Sequence, residues 1–450
     1  MKKLRQFWHY LWTSLWFLPS VLVLAAVLLA GLLVDLGTRL DAEALQRWPR
    51  LFGAGAAGSR AMLQVIATSM ITVAGVVFSI TIAALTQASG QYSSRVLRKF
   101  MSDRTNQLVL GVFVSIFVYC LVVLRTIRGG DEGAFVPSLA VLGGIVLSFV
   151  GIGFLIYFIH HIATSVQAAY IVAGVARETR GAIDSLFPQR LGEDPAEDLV
   201  EPVPLLLVER TAYPVPARHT GYIQSVDVDA LLAFARDRQL VVCMEQGLGD
   251  FAIEDIPFVS LLLLPRDHDT LVVDDATIEQ LNAAYVVGRQ RTVVQDAAFG
   301  IRQIVDVAVR ALSTGINDTT TAVLCINHLA AILVRLAQRH IESPYRYEGG
   351  QLRVIARHPT FAELLSGAFD EIRRNGAGHV TVSHRLIRAL DQLAGVTTGR
   401  QRRQAILDQA LALQEAVRRT ICAPAEREDL VCACRDLVAR LQQDGSDRSG

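Results

Sequence analysis

The sequence predicts a multi-pass α-helical membrane protein with four transmembrane helices, followed by a soluble α+β portion. Three observations predict it. Four long stretches carry no charged residue: Leu11–Val34, Ala61–Ser94, Leu108–Leu124 and Ala134–Ile159. A Pro- and acid-rich segment, Pro188–Pro204, then separates these from the rest. Beyond it the apolar pattern changes, first to short aliphatic runs and then to helical stripes. Composition agrees: the chain is 52% hydrophobic and 19% charged, with mean hydropathy +0.36, which is too apolar for an ordinary soluble protein. The 43 basic residues balance 43 acidic ones, so no excess charge draws the chain to nucleic acid, and none is expected as a partner.

Crossing the hydrocarbon takes about 17–25 apolar residues in a helix, and backbone groups in lipid must be paired internally. Spans are therefore expected near 11–34, 61–88, 108–124 and 134–159. The first is too long for a cleaved secretory segment, and Trp8, Trp12 and Trp16 flank it like an interfacial belt. Lys2, Lys3 and Arg5 precede it, and Arg95, Arg98, Lys99 and Arg104 lie between the second and third spans. Both groups placed inside put the N- and C-termini in the cytoplasm of a bacterial inner membrane. Five of the six cysteines (Cys243, Cys325, Cys422, Cys432 and Cys434) lie in the soluble part without framework spacing, which suits a reducing compartment.

The second span is the most informative. Thr68, Thr72, Gly75, Ser79, Ala83, Thr86 and Gly90 step by three or four residues and form one small, hydroxylated stripe. Such a stripe either packs against another helix or lines a solute path. No acidic or basic side chain lies inside any span, which argues against a coupled pump and leaves a passive channel open.

After the spans, residues 166–202 are expected to carry the fourth helix on as a stalk, then a linker. Residues 203–277 read as a small β-rich module. "LLLVER", "GYIQSVDV", "LVVCMEQ" and "VSLLLLP" are its strands and "DALLAFARDRQ" its helix. Its order is similar to small barrel-sandwich modules, without the lysine that would carry a cofactor; no cofactor is expected. Residues 278–442 read as a helical domain, with helices at Phe361–Arg374, Ser383–Leu393, Gln404–Arg419 and Glu426–Gln442. Residues 443–450 read as a disordered tail.

"STGIND", Ser313–Asp318, divides two of these helices. Gly315 is suited to the left-handed residue that ends the first, and Asn317 or Asp318 to the N-cap of the second. Capping does not require three threonines, Thr319 to Thr321. Asp296, Asp306, Asn317, Asp318 and Thr319 are therefore also candidates for an oxygen-rich ion or ligand corner. No metal is assigned to it. Cys432-Ala-Cys434 lacks a zinc partner set, adjacent His160 and His161 diverge on a helix, and "GLGD" at Gly247 is too short to count as a nucleotide loop.

"SMITVAGVVFSITIAALTQASGQYSSRVLRKFMSDRTNQ" and "RTVVQDAAFGIRQIVDVAVRALSTGINDTTTAVLC" resemble the bacterial predicted-membrane-protein family catalogued as domain of unknown function 2254. The resemblance runs over nearly the whole chain and implies an integral inner-membrane protein with a large cytoplasmic portion. The family often has proline where this chain has Ser94, Thr314 and Thr319. The functional expectation is a non-enzymatic, channel-like or sensory homo-oligomer in the lipid bilayer, regulated by its cytoplasmic domain and open to an ion or small ligand. The alternatives are a membrane-anchored enzyme or ligand-binding receptor with its site at Gly315–Asp318, and a scaffold for a cytoplasmic protein.

Overall fold

A computed structural model describes residues 16–39, 55–91, 104–128, 135–165, 167–186, 212–263, 273–293, 296–339, 341, 343–348 and 350–446. The expected strand "LLLVER", the linker Pro188–Pro204, Ser94 and residues 11–15 of the first span lie outside the described residues. The chain divides into two compact units, Met1–Ile171 and Val172–Gly450.

The first unit is built on four helices: α1 (Phe17–Arg39), α2 (Ala56–Gln91), α3 (Arg104–Thr126) and α4 (Ser138–Ser165). α3 is central and packs on the other three. Its Phe113, Ile116, Tyr119 and Val123 fill the interior together with Leu63 of α2 and Phe158 of α4, all 0–1% exposed. The Tyr119 hydroxyl donates to the Ala140 carbonyl at 2.7 Å, so its one polar atom is satisfied inside the bundle. Gly143 and Gly144 let α4 approach closely, because a Cβ there would strike Tyr119 and Leu63.

α4 does not run on as one stalk. It ends at Ser165, and α5 (Ala168–Leu186) begins after a bend at Gln167. The hydroxyls of Thr164 and Ser165 bond back to carbonyls of His160, His161 and Ile162, a habit that bends or weakens a helix end.

The second unit joins two sheets to a helical layer. Its first elements are β1 (Ala212–Pro216), β2 (Gly221–Val226), α6 (Val228–Asp237), β3 (Leu240–Met244), β4 (Phe251–Ala252), β5 (Pro257–Leu263) and α7 (Asp275–Ala283). Then come β6 (Tyr285–Gly288), α8 (Ala297–Ala311), α9 (Thr319–Ala337), β7 (Tyr345–Glu348) and β8 (Gln351–Ile355). α10 (Phe361–Gly376), α11 (Val380–Val396), α12 (Arg400–Thr420) and α13 (Pro424–Ser446) complete it. One sheet has the order β1-β5-β3-β8-β7 and the other β4-β2-β6. Three strands, β6, β7 and β8, thus lie where the sequence reads as helical from residue 278 onward. They are short and Tyr- or Arg-bearing, and partners distant in sequence complete β6 and β8, so local periodicity does not expose them. The result is an open mixed sheet rather than a barrel-sandwich, because β8 pairs parallel to β3.

Within this unit α5 docks on the helical layer. Buried Thr179 faces Gly300 of α8, where a Cβ would lie 2.0 Å from its Oγ1, and Asp184 pairs with Arg335 and Arg339. The four helices expected after residue 360 are present as α10 to α13. α13 carries on to Ser446, into the expected tail, since no proline stops it.

Among the described residues, five helices are long and apolar enough to cross a membrane: α1 to α4, and α9 with a mean hydropathy of 1.6 against 2.2–2.7 for the others. The sequence expects only the first four. α9 buries Ala322, Cys325, Ile326, Leu329, Ile332, Leu333 and Leu336, and packs on α8 and α11.

Candidate functional site

The "STGIND" corner is built from backbone bonds. The Ile316 and Asn317 N–H groups donate to the Ser313 carbonyl, and Asp318 N–H to Ala311 at 2.7 Å. The left-handed residue is Asn317 (φ +50°) and not Gly315; asparagine is among the few side chains that tolerate this region. Asp318 is the N-cap of α9. Its Oδ1 accepts from Thr321 N–H at 3.0 Å, and its Oδ2 from the Thr321 hydroxyl at 2.6 Å. That second bond gives one of the three threonines a structural task. The two Thr321 bonds, the hydroxyl first, hold the Asp318 carboxyl below its usual range. Thr319 opens the helix, half-exposed.

The other two acids lie elsewhere. Asp296 caps the opposite end of α8, which has 15 residues, about 22 Å at 1.5 Å per residue. Asp306 pairs with Arg302 one turn away at 2.8 Å, and Arg302 also holds Glu371. Asp296, Asp306 and Asn317 therefore do not converge on one point. Among the described residues no three His, Cys, Asp or Glu side chains are grouped to hold a metal ion.

Asp296 instead borders a cavity of about 230 Å³ in the second unit. The parallel pairing of β3 and β8, Val242 beside Val354 and Cys243 beside Ile355, carries Met244 and Ala356 out together at their C-terminal ends. Crevices beyond the carboxyl ends of neighbouring parallel strands are habitual binding places in α/β sheets. The N-terminus of α8 forms another wall, with Asp296 and Ala297. Asp296 accepts from Phe299 N–H at 2.8 Å and is held by Arg291 at 2.6 Å. Burial raises its carboxyl, and Arg291 and that N–H act against the shift. Leu186, Val226, Val228 and Leu248 supply apolar lining; Arg346, Arg357 and His358 supply cationic or imidazole groups.

The "GLGD" turn shapes this wall. A Cβ on Gly247 would lie 2.4 Å from the Arg357 carbonyl oxygen, and one on Gly249 would lie 2.4 Å from Asp296 Oδ2. Gly249 also has φ +84°, so glycine is required on both counts. The Asp250 carboxylate closes the turn by accepting from Gly247 N–H at 2.8 Å. Sequence reasoning missed this part of the site because it sought a phosphate loop. The usable signal was two glycines flanking one leucine directly after a strand.

In the first unit, α2 turns Leu63, Ala67, Met70, Ala74 and Val77 inward. Thr68, Thr72, Gly75, Ser79 and Thr86 are exposed on the outside of this chain's bundle. Thr72 and Thr86 donate to the carbonyls of Thr68 and Ile82 at 2.8 and 2.9 Å, which removes much of the cost of facing lipid.

Burial pushes the half-buried Cys243 thiol up to about 11 and the buried Cys325 thiol to about 12, which favours the protonated form of both at neutral pH.

Apolar helices followed by a mixed-sheet and helical unit define the class, a predicted membrane protein with a large α/β portion. The chain belongs to the predicted membrane protein family, domain of unknown function 2254, whose model matches residues 12–392. It is 33% identical over 445 residues to an uncharacterized protein of Mycobacterium tuberculosis (strain CDC 1551 / Oshkosh), covering 97% of this chain and 82% of that one. An uncharacterized protein of Mycobacterium bovis is 32% identical, with the same shares covered. No solved structure matches the chain.

Proposed function

We propose that the protein is a sensory, channel-like homo-oligomer of the bacterial inner membrane, acting by conformation and not by turning over a substrate. It crosses the membrane four times, with both termini in the cytoplasm, and α9 belongs to the soluble unit. The lower hydropathy of α9, its buried face, its Asp318 cap and the bonding of Arg335 to Asp184 support that count. The basic residues before α1 and between α2 and α3 support the orientation.

The observation that carries the oligomer is the contrast between the two faces of α2. Its inner face belongs to an interior filled by Phe113, Ile116, Tyr119 and Phe158. Its outer face offers small residues on which a second helix can close. Any conducting path would then run between chains, along Thr68, Thr72, Ser79 and Thr86.

The test is oxidative crosslinking in native membranes, in a chain with Cys422→Ser and Cys432→Ser. Ser79→Cys should form a linked dimer, and Phe149→Cys, exposed on α4, should not. A Ser79→Cys chain that stays monomeric, or equal linking at both positions, would contradict the oligomer.

A further inference from the structure

We propose that the cavity between the ends of β3 and β8 and the start of α8 binds a small uncharged apolar molecule, about the size of one substituted ring. The ligand's purpose rests on the sensory reading, while binding and self-association are measured separately, so either can fail alone.

The charged and imidazole side chains of the described wall are already answered within the protein. Asp296 accepts from Phe299 N–H at 2.8 Å and is held by Arg291 at 2.6 Å. Arg357 donates to the Glu245 carbonyl at 2.6 Å and lies 3.8 Å from the Asp250 carboxylate. Arg346 and His358 also interact with other residues. A charged ligand would therefore enter unpaired or take a partner away from one of these groups. Either way it gives up hydration with no net ion pair in return, and a buried unpaired charge is costly.

What remains of the wall is apolar. Eight of the twelve described lining residues have apolar side chains, so an uncharged molecule gains contact there without that cost. The cavity holds about 230 Å³, whereas about 150 Å³ of apolar space is enough for benzene. A ring with a short substituent fits. A mostly apolar pocket with few polar groups is the usual form of a small-molecule site. The turn that carries Leu248 is pinned on both sides. Gly249 N–H donates to the Ile223 carbonyl at 2.9 Å, and Gly247 backs directly on the Arg357 carbonyl. The wall thus resists collapse onto the space.

The lining joins several elements. Leu186 ends α5, Val226 ends β2, Val228 opens α6, Met244 ends β3 and Ala297 opens α8. A ligand in contact with all five ties α5 to both sheets. α5 is also the helix that follows α4 in the chain, so occupancy of this cavity is the input that the sensory reading needs.

The experiment uses the full chain in detergent with isotopically labelled methionine methyls, followed by NMR. Of the five methionines, Met244 alone lies in the second unit. Its resonance reports the cavity, and the other four report uptake by detergent and apolar helices. The probe is benzyl alcohol, with benzoate and benzylamine as its anionic and cationic counterparts. The alcohol should shift the Met244 methyl saturably and raise the melting transition. Both charged compounds should bind more weakly by about tenfold or more. Ala356→Leu, which fills the cavity, should abolish the shift while the chain still melts cooperatively. Val228→Leu, at a half-buried position, should weaken it, and decides the matter if the Ala356→Leu chain does not melt cooperatively. No saturable Met244 shift, or a shift that the folded variants leave unchanged, would overturn the site. A charged counterpart that binds as tightly as the alcohol would overturn the uncharged ligand.

Discussion

At the scale of the residue, one type of side chain recurs at the starts of the helices. Asp227, Asp274, Asp296 and Asp318 each accept a backbone N–H as N-caps of α6, α7, α8 and α9. At Asp318 the second oxygen is bonded by the Thr321 hydroxyl, as that of Asp296 is by Arg291. Replacing Asp318 by Ala should cost about 1 kcal/mol, the usual worth of a cap, and Asp318→Asn less, since an amide oxygen still accepts. The pH dependence has a definite sign. The folded carboxyl is held low, so its stabilisation is present above the unfolded value of about 3.9 and is lost as pH falls through the folded value. The deficit of Asp318→Ala, measured by thermal unfolding, should be constant near neutrality and shrink in acid. A deficit unchanged down to about pH 2.5 would show that the carboxylate is not the group responsible. This much of "STGIND" was legible: a helix stop, a helix start and an acidic cap. The left-handed residue was not, because glycine and asparagine both reach that conformation and only the traced turn decides between them.

At the scale of the element, close approaches decide more than composition does. Gly300 lies in the interior of α8, where alanine would favour the helix by about 1 kcal/mol. Its Cβ would nonetheless meet Thr179 Oγ1 at 2.0 Å, and Thr179 is fully buried and bonded to the Val175 carbonyl. Gly300→Ala should therefore destabilise the second unit by about 1–3 kcal/mol, the range of overpacking, and Thr179→Ala in the same chain should restore most of it. A single Gly300→Ala chain that melts higher than the parent would show that α5 does not dock there. The helices after residue 360 were readable because each carries a strong amphipathic stripe of its own. β6 and β8 were not, because what makes them strands is a partner far away in sequence, β2 for β6 and β3 for β8, and β7 is the short edge strand that folds back on β8. The cavity was hidden for the same reason. Met244 and Ala356 become neighbours only through a parallel pairing of distant strands, and "GLGD" gains its meaning from Asp296 and Arg357, which it meets in space.

At the scale of the whole molecule, the general architecture of apolar helices followed by a mixed-sheet and helical part was legible, the first half of it from the four uncharged runs that become α1 to α4. Hydropathy is blind to what surrounds a helix, and α9 is the instructive case. By length and composition it could cross a membrane, yet it is capped and ion-paired within the second unit, with its apolar face buried there. The two possibilities place the C-terminal helices on opposite sides of the membrane. They are separated by labelling Cys422, exposed in the turn between α12 and α13, with a membrane-impermeant maleimide in a Cys432→Ser chain in intact cells. Four spans with cytoplasmic termini predict that Cys422 reacts only after the membrane is permeabilised; labelling in intact cells would contradict that topology, and with it the placement of the cavity and the "STGIND" corner in the cytoplasm.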